Sequence, residues 1–156
     1  MKQLLLYFTI LFIAFVACDK LPSNGDLDGM WHLQKVTKLD ASPMQEEDVS
    51  TKKFYWNFQL NLLMINSLGE VMYEDKVSGL QIYKAFARFE HSGNQLNVNK
   101  IYLHMDVRDS LITDSHTTMF ERYGIMGNAD SFYVERLDHK WMVLVSNSRR
   151  LQFRKF

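Results

Sequence analysis

The sequence predicts an all-β protein, an antiparallel up-and-down meander of about eight short strands closed into a small barrel, with one short helix between strands. Three observations favour this class. Apolar residues mostly alternate with polar ones, aromatic residues make up 13% of the chain, and turns containing Gly or Asn separate the runs. A sandwich of two sheets is the alternative that the same pattern allows.

Composition and charge exclude several classes of protein. A length of 156 residues suits one domain, and 18 basic residues balance 18 acidic ones to a formal net charge of +0. This balance argues against a nucleic-acid partner, which requires a basic face, and against a polybasic membrane-surface protein. The single cysteine excludes an internal disulfide and the usual cysteine-based zinc sites.

Residues 1–17 are predicted to be a lipoprotein signal peptide. Lys2 precedes an uncharged run from Leu4 to Val16, which is shorter than the roughly 20 residues of a membrane-spanning helix. Cys18 follows the small residue Ala17, as in the bacterial lipobox, although Phe15 occupies the position where Leu is usual. We expect acyl chains such as palmitate on Cys18 to anchor the protein in the cell envelope, on the outer membrane of a Gram-negative bacterium. An ordinary signal peptide or an uncleaved anchor is the alternative.

Two further segments complete the predicted domain organisation. Residues 18–28 contain Pro, Gly, Ser and Asn among four charged residues without an apolar period, which indicates a tether. Residues 29–156 form the predicted barrel domain.

The clearest strand pattern runs from Phe54 to Leu62. Alternation places one set of side chains on a single face, namely Phe54, Trp56, Phe58, Leu60 and Leu62. The first three, Phe54, Trp56 and Phe58, are candidates for the wall of an apolar ligand pocket. The alternative is that they simply fill the barrel.

The remaining pattern is less regular. Residues 41–50 are predicted to be a solvated loop, and Ser92-Gly93-Asn94 a hairpin turn. Residues 117–123 are predicted to be the short helix, capped by Ser115 or Thr117 and ended by Gly124. Further strands are predicted at 30–39, 70–77, 82–91, 95–105, 131–137, 141–147 and 149–155.

A resemblance rests on the two ends of the predicted barrel. The segment Gly29-Met30-Trp31 opens the first strand, and Leu151-Gln152-Phe153-Arg154-Lys155 closes the last. Together with the meander and the lipobox, they resemble the lipocalin-like, or calycin-like, lipoproteins of gut Bacteroidota, a family largely of unknown function. The irregular segment 106–131 departs from a plain lipocalin barrel.

This resemblance implies roles for particular residues. In lipocalins the corresponding Trp plugs the base of the barrel, and an Arg from near the end of the barrel stacks on it, so Trp31 is the expected plug. Arg149, Arg150 and Arg154 are the arginines available here. Strand parity, with Leu151 and Phe153 inward, favours Arg149 over Arg154.

No pattern predicts catalysis. His104 and Asp106 share a strand face, with Asp109, Asp114 and His116 following, but their spacing matches no zinc-site template. Three serines could in principle belong to a catalytic triad, namely Ser110, Ser115 and Ser131, but none is flanked by the glycines of a nucleophile elbow. We therefore predict no enzyme, no metal site and no cofactor.

Two functions remain open. The first is a non-catalytic, membrane-anchored module that binds a small apolar or amphipathic molecule. The second is an interaction protein with a filled barrel, which contacts another envelope protein through its loops, chiefly residues 106–131. An open interior favours the first function, and a closed interior with exposed apolar loops favours the second.

Overall fold

The predicted all-β class is confirmed by a computed structural model, which describes residues 24–105 and 108–156. Its strands are β1 (Gly29–Lys38), β2 (Gln45–Asp48), β3 (Phe54–Gln59), β4 (Leu62–Ser67), β5 (Tyr73–Glu74), β6 (Gln81–Ile82), β7 (Lys84–Ser92), β8 (Gln95–Leu103), β9 (Ser110–Leu111), β10 (Asp130–Leu137), β11 (Trp141–Val145) and β12 (Arg149–Lys155). Two short 3₁₀ turns, Gly25–Leu27 and Glu121–Tyr123, are the helical elements of the described residues.

Eight of these strands form a closed antiparallel barrel. The hydrogen-bonded order is β1, β3, β4, β7, β8, β10, β11 and β12, and β12 pairs again with β1. Strands β8 and β10, which are not consecutive in the sequence, pair directly and complete the barrel. Val98 lies opposite Asp130, and Gln95 lies opposite Tyr133. The sheet therefore has no free edge at this position, and the sandwich alternative is wrong.

The two ends of the barrel differ. At one, the closed end, short turns at residues 60–61, 93–94 and 138–140 connect the strands. At the other, the open end, the connections span residues 39–53, 68–83, 104–129 and 146–148. These connections contain β2 beside β1, the small β5–β6 sheet and β9 beside β8. Most of the irregular structure is therefore gathered around the open end.

Aromatic side chains fill the interior. The Trp56 ring lies 5.0 Å from the Phe153 ring and 5.8 Å from the Phe132 ring, between centroids. The Phe58 ring meets the Phe89 ring edge-on at 5.0 Å. Rings at these separations are in contact, so the middle of the barrel is a packed core.

The predicted strand from Phe54 to Leu62 is in fact a hairpin. Leu60 has a positive φ of 57°, and the chain turns at Leu60 and Asn61 into β4. Leu60 and Leu62 are each 38% exposed, so the prediction that they face inward is wrong. A leucine rarely adopts positive φ, and the sequence therefore carried no turn signal here.

The predicted helix at 117–123 is also wrong in length. Only the 3₁₀ turn Glu121–Tyr123 forms, and it ends at Gly124, the glycine expected to terminate the helix. The Thr117 hydroxyl accepts a hydrogen bond from the nearby Met119 N–H instead of capping an α-helix.

Trp31 lies in the interior near the closed end and is fully buried. Its Nε1 donates a hydrogen bond to the Leu27 carbonyl at 2.8 Å, and Leu27 is itself fully buried. The described part of the predicted tether, residues 24–28, is thus packed against the barrel. Residues 1–23, with the predicted signal peptide and Cys18, lie outside the described residues.

The prediction that Arg149 stacks on Trp31 is wrong. The cation over the Trp31 ring is Lys155, whose Nζ lies 4.8 Å from the ring centroid. Because β12 runs antiparallel to β1, its last residue pairs with Trp31 and its first, Arg149, pairs with Lys38 at the opposite end. Lys155 shares the inward parity of Arg149, so parity alone could not distinguish them.

No helix within residues 24–105 and 108–156 is long and apolar enough to span a membrane.

Replacing Trp31 with Ala should lower the free energy of unfolding by about 3–5 kcal/mol, because a large buried ring and its hydrogen bond are lost. Trp141, which is half-buried at the start of β11, provides the matched control, and Trp141→Ala should cost less. Chemical denaturation of both variants measures the difference. A loss below about 1 kcal/mol for Trp31→Ala would contradict its place in the core.

Candidate functional site

The mouth of the barrel is occupied by residues 118–127, here called the plug segment. Its side chains Phe120, Tyr123 and Ile125 are fully buried. The Tyr123 ring packs edge-on against Phe54 at 4.7 Å, and the Trp56 Nε1 donates a hydrogen bond to the Tyr123 carbonyl at 3.0 Å. The segment therefore reaches down to the aromatic core and closes the interior from the open end.

Two glycines let the plug segment pack closely, Gly124 against the barrel and Gly127 against the preceding part of its own connection. Gly124 has φ of 95°, and a Cβ there would lie 2.6 Å from the Leu151 Cδ1. A Cβ on Gly127, at φ of 74°, would meet the Ser115 carbonyl. Both positions thus require a residue that lacks a side chain and tolerates positive φ.

Arg149 holds the outer part of the plug segment. It is 8% exposed, its Nε contacts the Met126 sulfur at 2.9 Å, and its Nη2 lies 3.4 Å from the Glu121 carboxylate. Nearby, burial raises the pKa of Asp130, and the Met126 and Ser131 N–H groups that donate to its carboxylate partly offset this effect. Arg149 therefore stabilises the plug segment at the open end and is not the partner of Trp31.

A groove of about 440 Å³ remains beside the plug segment, and we call it the open-end groove. Buried apolar side chains of Val36, Val49 and Phe54 contribute to its lining. A register shift between Leu33 and Lys35 in β1 puts Val36 on the inner face, as Leu33 is before the shift. The remaining lining residues are mostly charged: Lys38, Glu47, Lys52, Glu70, Thr118, Glu121, Arg122 and Arg149.

The charges of the open-end groove are partly paired. Glu70 accepts from Lys52 at 3.2 Å and lies 3.6 Å from Arg122, so one carboxylate faces two cations. Lys38 forms no ion pair with any residue that the structure describes. Four basic side chains against three acidic ones leave the lining with a small excess of positive charge.

The hydroxyl groups of Tyr123 and Ser67 are buried near the groove. Burial raises the pKa of the Tyr123 phenol, and the nearby Ser67 hydroxyl partly offsets this effect. The two groups do not meet in hydrogen-bond geometry, and neither hydroxyl has another partner among the described residues. Ser67 pairs with Phe54 across β3 and β4, and the Tyr123 ring contacts Phe54, so both residues adjoin the Phe54 side chain that lines the groove.

The predicted pocket residues divide between core and groove. Phe54, Trp56 and Phe58 all point inward and are 3%, 0% and 1% exposed. Only Phe54 borders the open-end groove, whereas Trp56 and Phe58 are enclosed by other aromatic rings. For these two, the geometry corresponds to the filled-barrel alternative.

Sequence reasoning missed most of the groove. Val49 belongs to the predicted solvated loop 41–50, yet it is 3% exposed and its N–H donates to the Gln34 carbonyl at 2.9 Å. The predicted loop in fact contains the exposed strand β2. The sequence feature that could have indicated burial of Val49 is that it is a lone apolar residue directly after the acidic residues of β2. Arg122 and Glu121 could not be assigned before the plug segment was known.

Two other grooves lie at the open end. The first, of about 640 Å³, is lined by residues of the 68–83 and 104–129 connections, including Leu80, Met105 and Arg108. A second groove, of about 510 Å³, lies on another side of the plug segment, near Asp130 and the turn at 146–148. Most of its lining residues are polar, including Asn97, Asn99 and Ser131. The open-end groove is the candidate site because three residues of the buried core, Val36, Val49 and Phe54, line it beside charged side chains.

The geometry at the sequence-predicted ionisable residues does not resemble a catalytic site. His104 Nδ1 lies 2.9 Å from Asp109, and no three His, Cys, Asp or Glu side chains of the described chain lie together as metal ligands would. Ser115 and Asp114 both face the same nitrogen of His116, Nδ1, at 3.3 and 3.9 Å. A triad needs the hydroxyl and the carboxylate on different ring nitrogens.

The chain belongs to the lipocalin-like domain family, whose sequence model matches residues 12–156. Its fold is similar to a lipocalin-like protein from Bacteroides uniformis, with a TM-score of 0.56 and 21% identity over 85% of this chain and 100% of that one. An uncharacterised protein from Bacteroides eggerthii is similar with a TM-score of 0.54 and 17% identity, over 83% of this chain and 99% of that one. No curated protein gives a significant match.

Replacing Gly124 with Ala should destabilise the protein by about 2–4 kcal/mol, because the new methyl group adds a clash with Leu151 to the cost of positive φ. Gly93 also has positive φ but has open space around it, so Gly93→Ala should cost only about 1 kcal/mol. Thermal or chemical unfolding compares the two variants. Equal losses would show that the plug segment is not tightly seated.

Proposed function

We propose that this protein is a membrane-anchored lipoprotein that binds a small amphipathic molecule in the open-end groove. The observation that carries the proposal is that the plug segment and the aromatic core fill the barrel, while a groove of about 440 Å³ remains at its mouth. Pockets of roughly 300–1,000 Å³ with an apolar lining and a few polar groups are typical of small-ligand sites.

The side chains of the groove suggest a ligand with an apolar body and an anionic head. Val36, Val49 and Phe54 offer apolar contact, and each methylene removed from water contributes about 0.8 kcal/mol. Lys38 is placed to attract a carboxylate, since it has no carboxylate partner within the described chain, whereas Arg149 in the same lining contacts Glu121. A carboxylate of the ligand would complete this pairing.

A binding role is preferred to a catalytic one. The groove lining contains neither His nor Cys, so it lacks the side chains that most often act as general base or nucleophile. Of its three acidic residues, Glu70 and Glu121 are engaged with basic neighbours. The lipocalin-like fold by itself also suggests binding.

Attachment to the membrane is proposed from the sequence. Cys18, the only cysteine, follows a short apolar run as in a lipobox, and several acyl chains on one residue would hold the protein firmly on a bilayer. We place the protein in the cell envelope, on the outer membrane of a Gram-negative bacterium.

A second candidate function is binding to another envelope protein through the open-end loops. It is favoured by the filled interior and by exposed apolar side chains on these loops, where Leu68 is 52%, Val77 96% and Leu111 46% exposed. Such side chains are more usual at protein contacts than at a solvated surface.

The ligand proposal predicts that dodecanoate binds and that Lys38→Glu weakens its binding about tenfold. One attraction is lost and one repulsion gained, each worth about 0.5–1 kcal/mol at a partly exposed site. Lys140→Glu, which makes the same change in the closed-end turn, should leave the affinity unchanged. Isothermal titration calorimetry below the micelle concentration measures all three proteins. Equal affinities of the two variants, or no binding by the unaltered protein, would contradict the proposal, and the latter would favour the protein-partner function.

The anchoring proposal predicts that Cys18→Ala abolishes acylation and releases or mislocalises the protein. Ser23→Ala, in the same segment, should retain both properties. Fractionation of cells and mass spectrometry of the N-terminal peptide test this. Labelled palmitate that stays on the Cys18→Ala protein would refute the assignment.

A further inference from the structure

The described chain begins at the closed end of the barrel and is held there. The Asn24 side-chain amide donates to the Leu60 carbonyl at 2.8 Å, in the turn between β3 and β4. The same amide donates to the Asp28 carboxylate at 2.6 Å, and Leu27 is buried beneath Trp31. The point at which any N-terminal anchor leaves the barrel is therefore defined.

The length of the intervening chain limits how the barrel can stand on a membrane. Cys18 precedes Asn24 by six residues, which reach at most about 20–22 Å when fully extended. β8 has 9 residues, so at roughly 3.3 Å per residue and a tilt near 40° the barrel wall is about 23 Å high. Even a fully extended segment laid along the wall would not carry the open-end loops down to the bilayer.

The closed end also presents apolar side chains next to Asn24. Leu60 occupies the tip of the β3–β4 turn at φ of 57°, a conformation that glycine or asparagine would adopt at lower cost. Leu60 and Leu62 are each 38% exposed. A leucine kept at positive φ and exposed to solvent is explained if its side chain contacts an apolar phase.

We propose that the closed end faces the phospholipid bilayer to which Cys18 is attached, with Leu60 and Leu62 at the boundary between its headgroups and acyl chains. This orientation rests on the proposed acylation of Cys18. It turns the open-end groove away from the bilayer by about the height of the barrel, so the groove takes its ligand from the aqueous phase and not from the membrane.

Spin labelling of the acylated full-length protein tests the orientation. Acylation consumes the Cys18 thiol, so an introduced cysteine is the one free thiol for a nitroxide label. Leu60→Cys and His139→Cys label two separate closed-end turns, and Met44→Cys, at a side chain 67% exposed, labels the open end. Each protein is bound to vesicles of phosphatidylethanolamine and phosphatidylglycerol, and the collision rate with a water-soluble nickel chelate is measured. The same label on non-acylated Cys18→Ala protein in solution is the reference.

On vesicles, the labels at positions 60 and 139 should lose several-fold in nickel accessibility, and the label at 44 should keep its solution value. The His139→Cys protein preserves the test if Leu60→Cys does not fold. Shielding of position 44, or no change at either closed-end position, in protein whose mass shows acylation would overturn the orientation alone. Absence of acyl mass would overturn both the orientation and the anchoring proposal.

Discussion

The hydrogen bond from the Trp56 indole to the Tyr123 carbonyl joins the plug segment to the centre of the barrel, and the architecture of the open end depends on it. Trp56 is fully buried among Phe153 and other rings, so its N–H needs a partner that the strands around it do not supply. The plug segment supplies it and buries Tyr123 above Phe54. Satisfying this buried donor thereby seats the plug segment on the aromatic core and closes the mouth of the barrel.

Filling the barrel moves the candidate ligand site outward. The inner face still contributes Val36 and Phe54, and the connection after β2 contributes Val49, but the plug segment forms one wall of the groove through Glu121 and Arg122. The two ends of the barrel consequently have different roles. Short turns and the Trp31–Leu27 contact stabilise the closed end, while the irregular connections build the groove at the other. This division explains why the segment 104–129 is much longer than a barrel connection requires.

Local patterns predicted the features that depend on strand parity and turn chemistry. Phe54, Trp56 and Phe58 face inward as alternation requires, and the turn at Gly93 follows from a residue that tolerates positive φ. Features set by contacts between distant segments were not predictable in this way. The turn at Leu60 is held by Asn24, and the pairing of Lys155 with Trp31 depends on barrel topology. The groove required the plug segment, whose course follows from tertiary packing around Gly124 rather than from helix propensity.

The proposed ligand site lies at the mouth of the barrel and not within it. Nuclear Overhauser effects between bound dodecanoate and protein protons locate the ligand. We expect contacts from the alkyl chain to the methyl groups of Val36 and Val49 and to the Phe54 ring, with none to Trp31 or Phe58. Contacts to the Trp31 or Phe58 rings would contradict it, because they would require the plug segment to leave the interior.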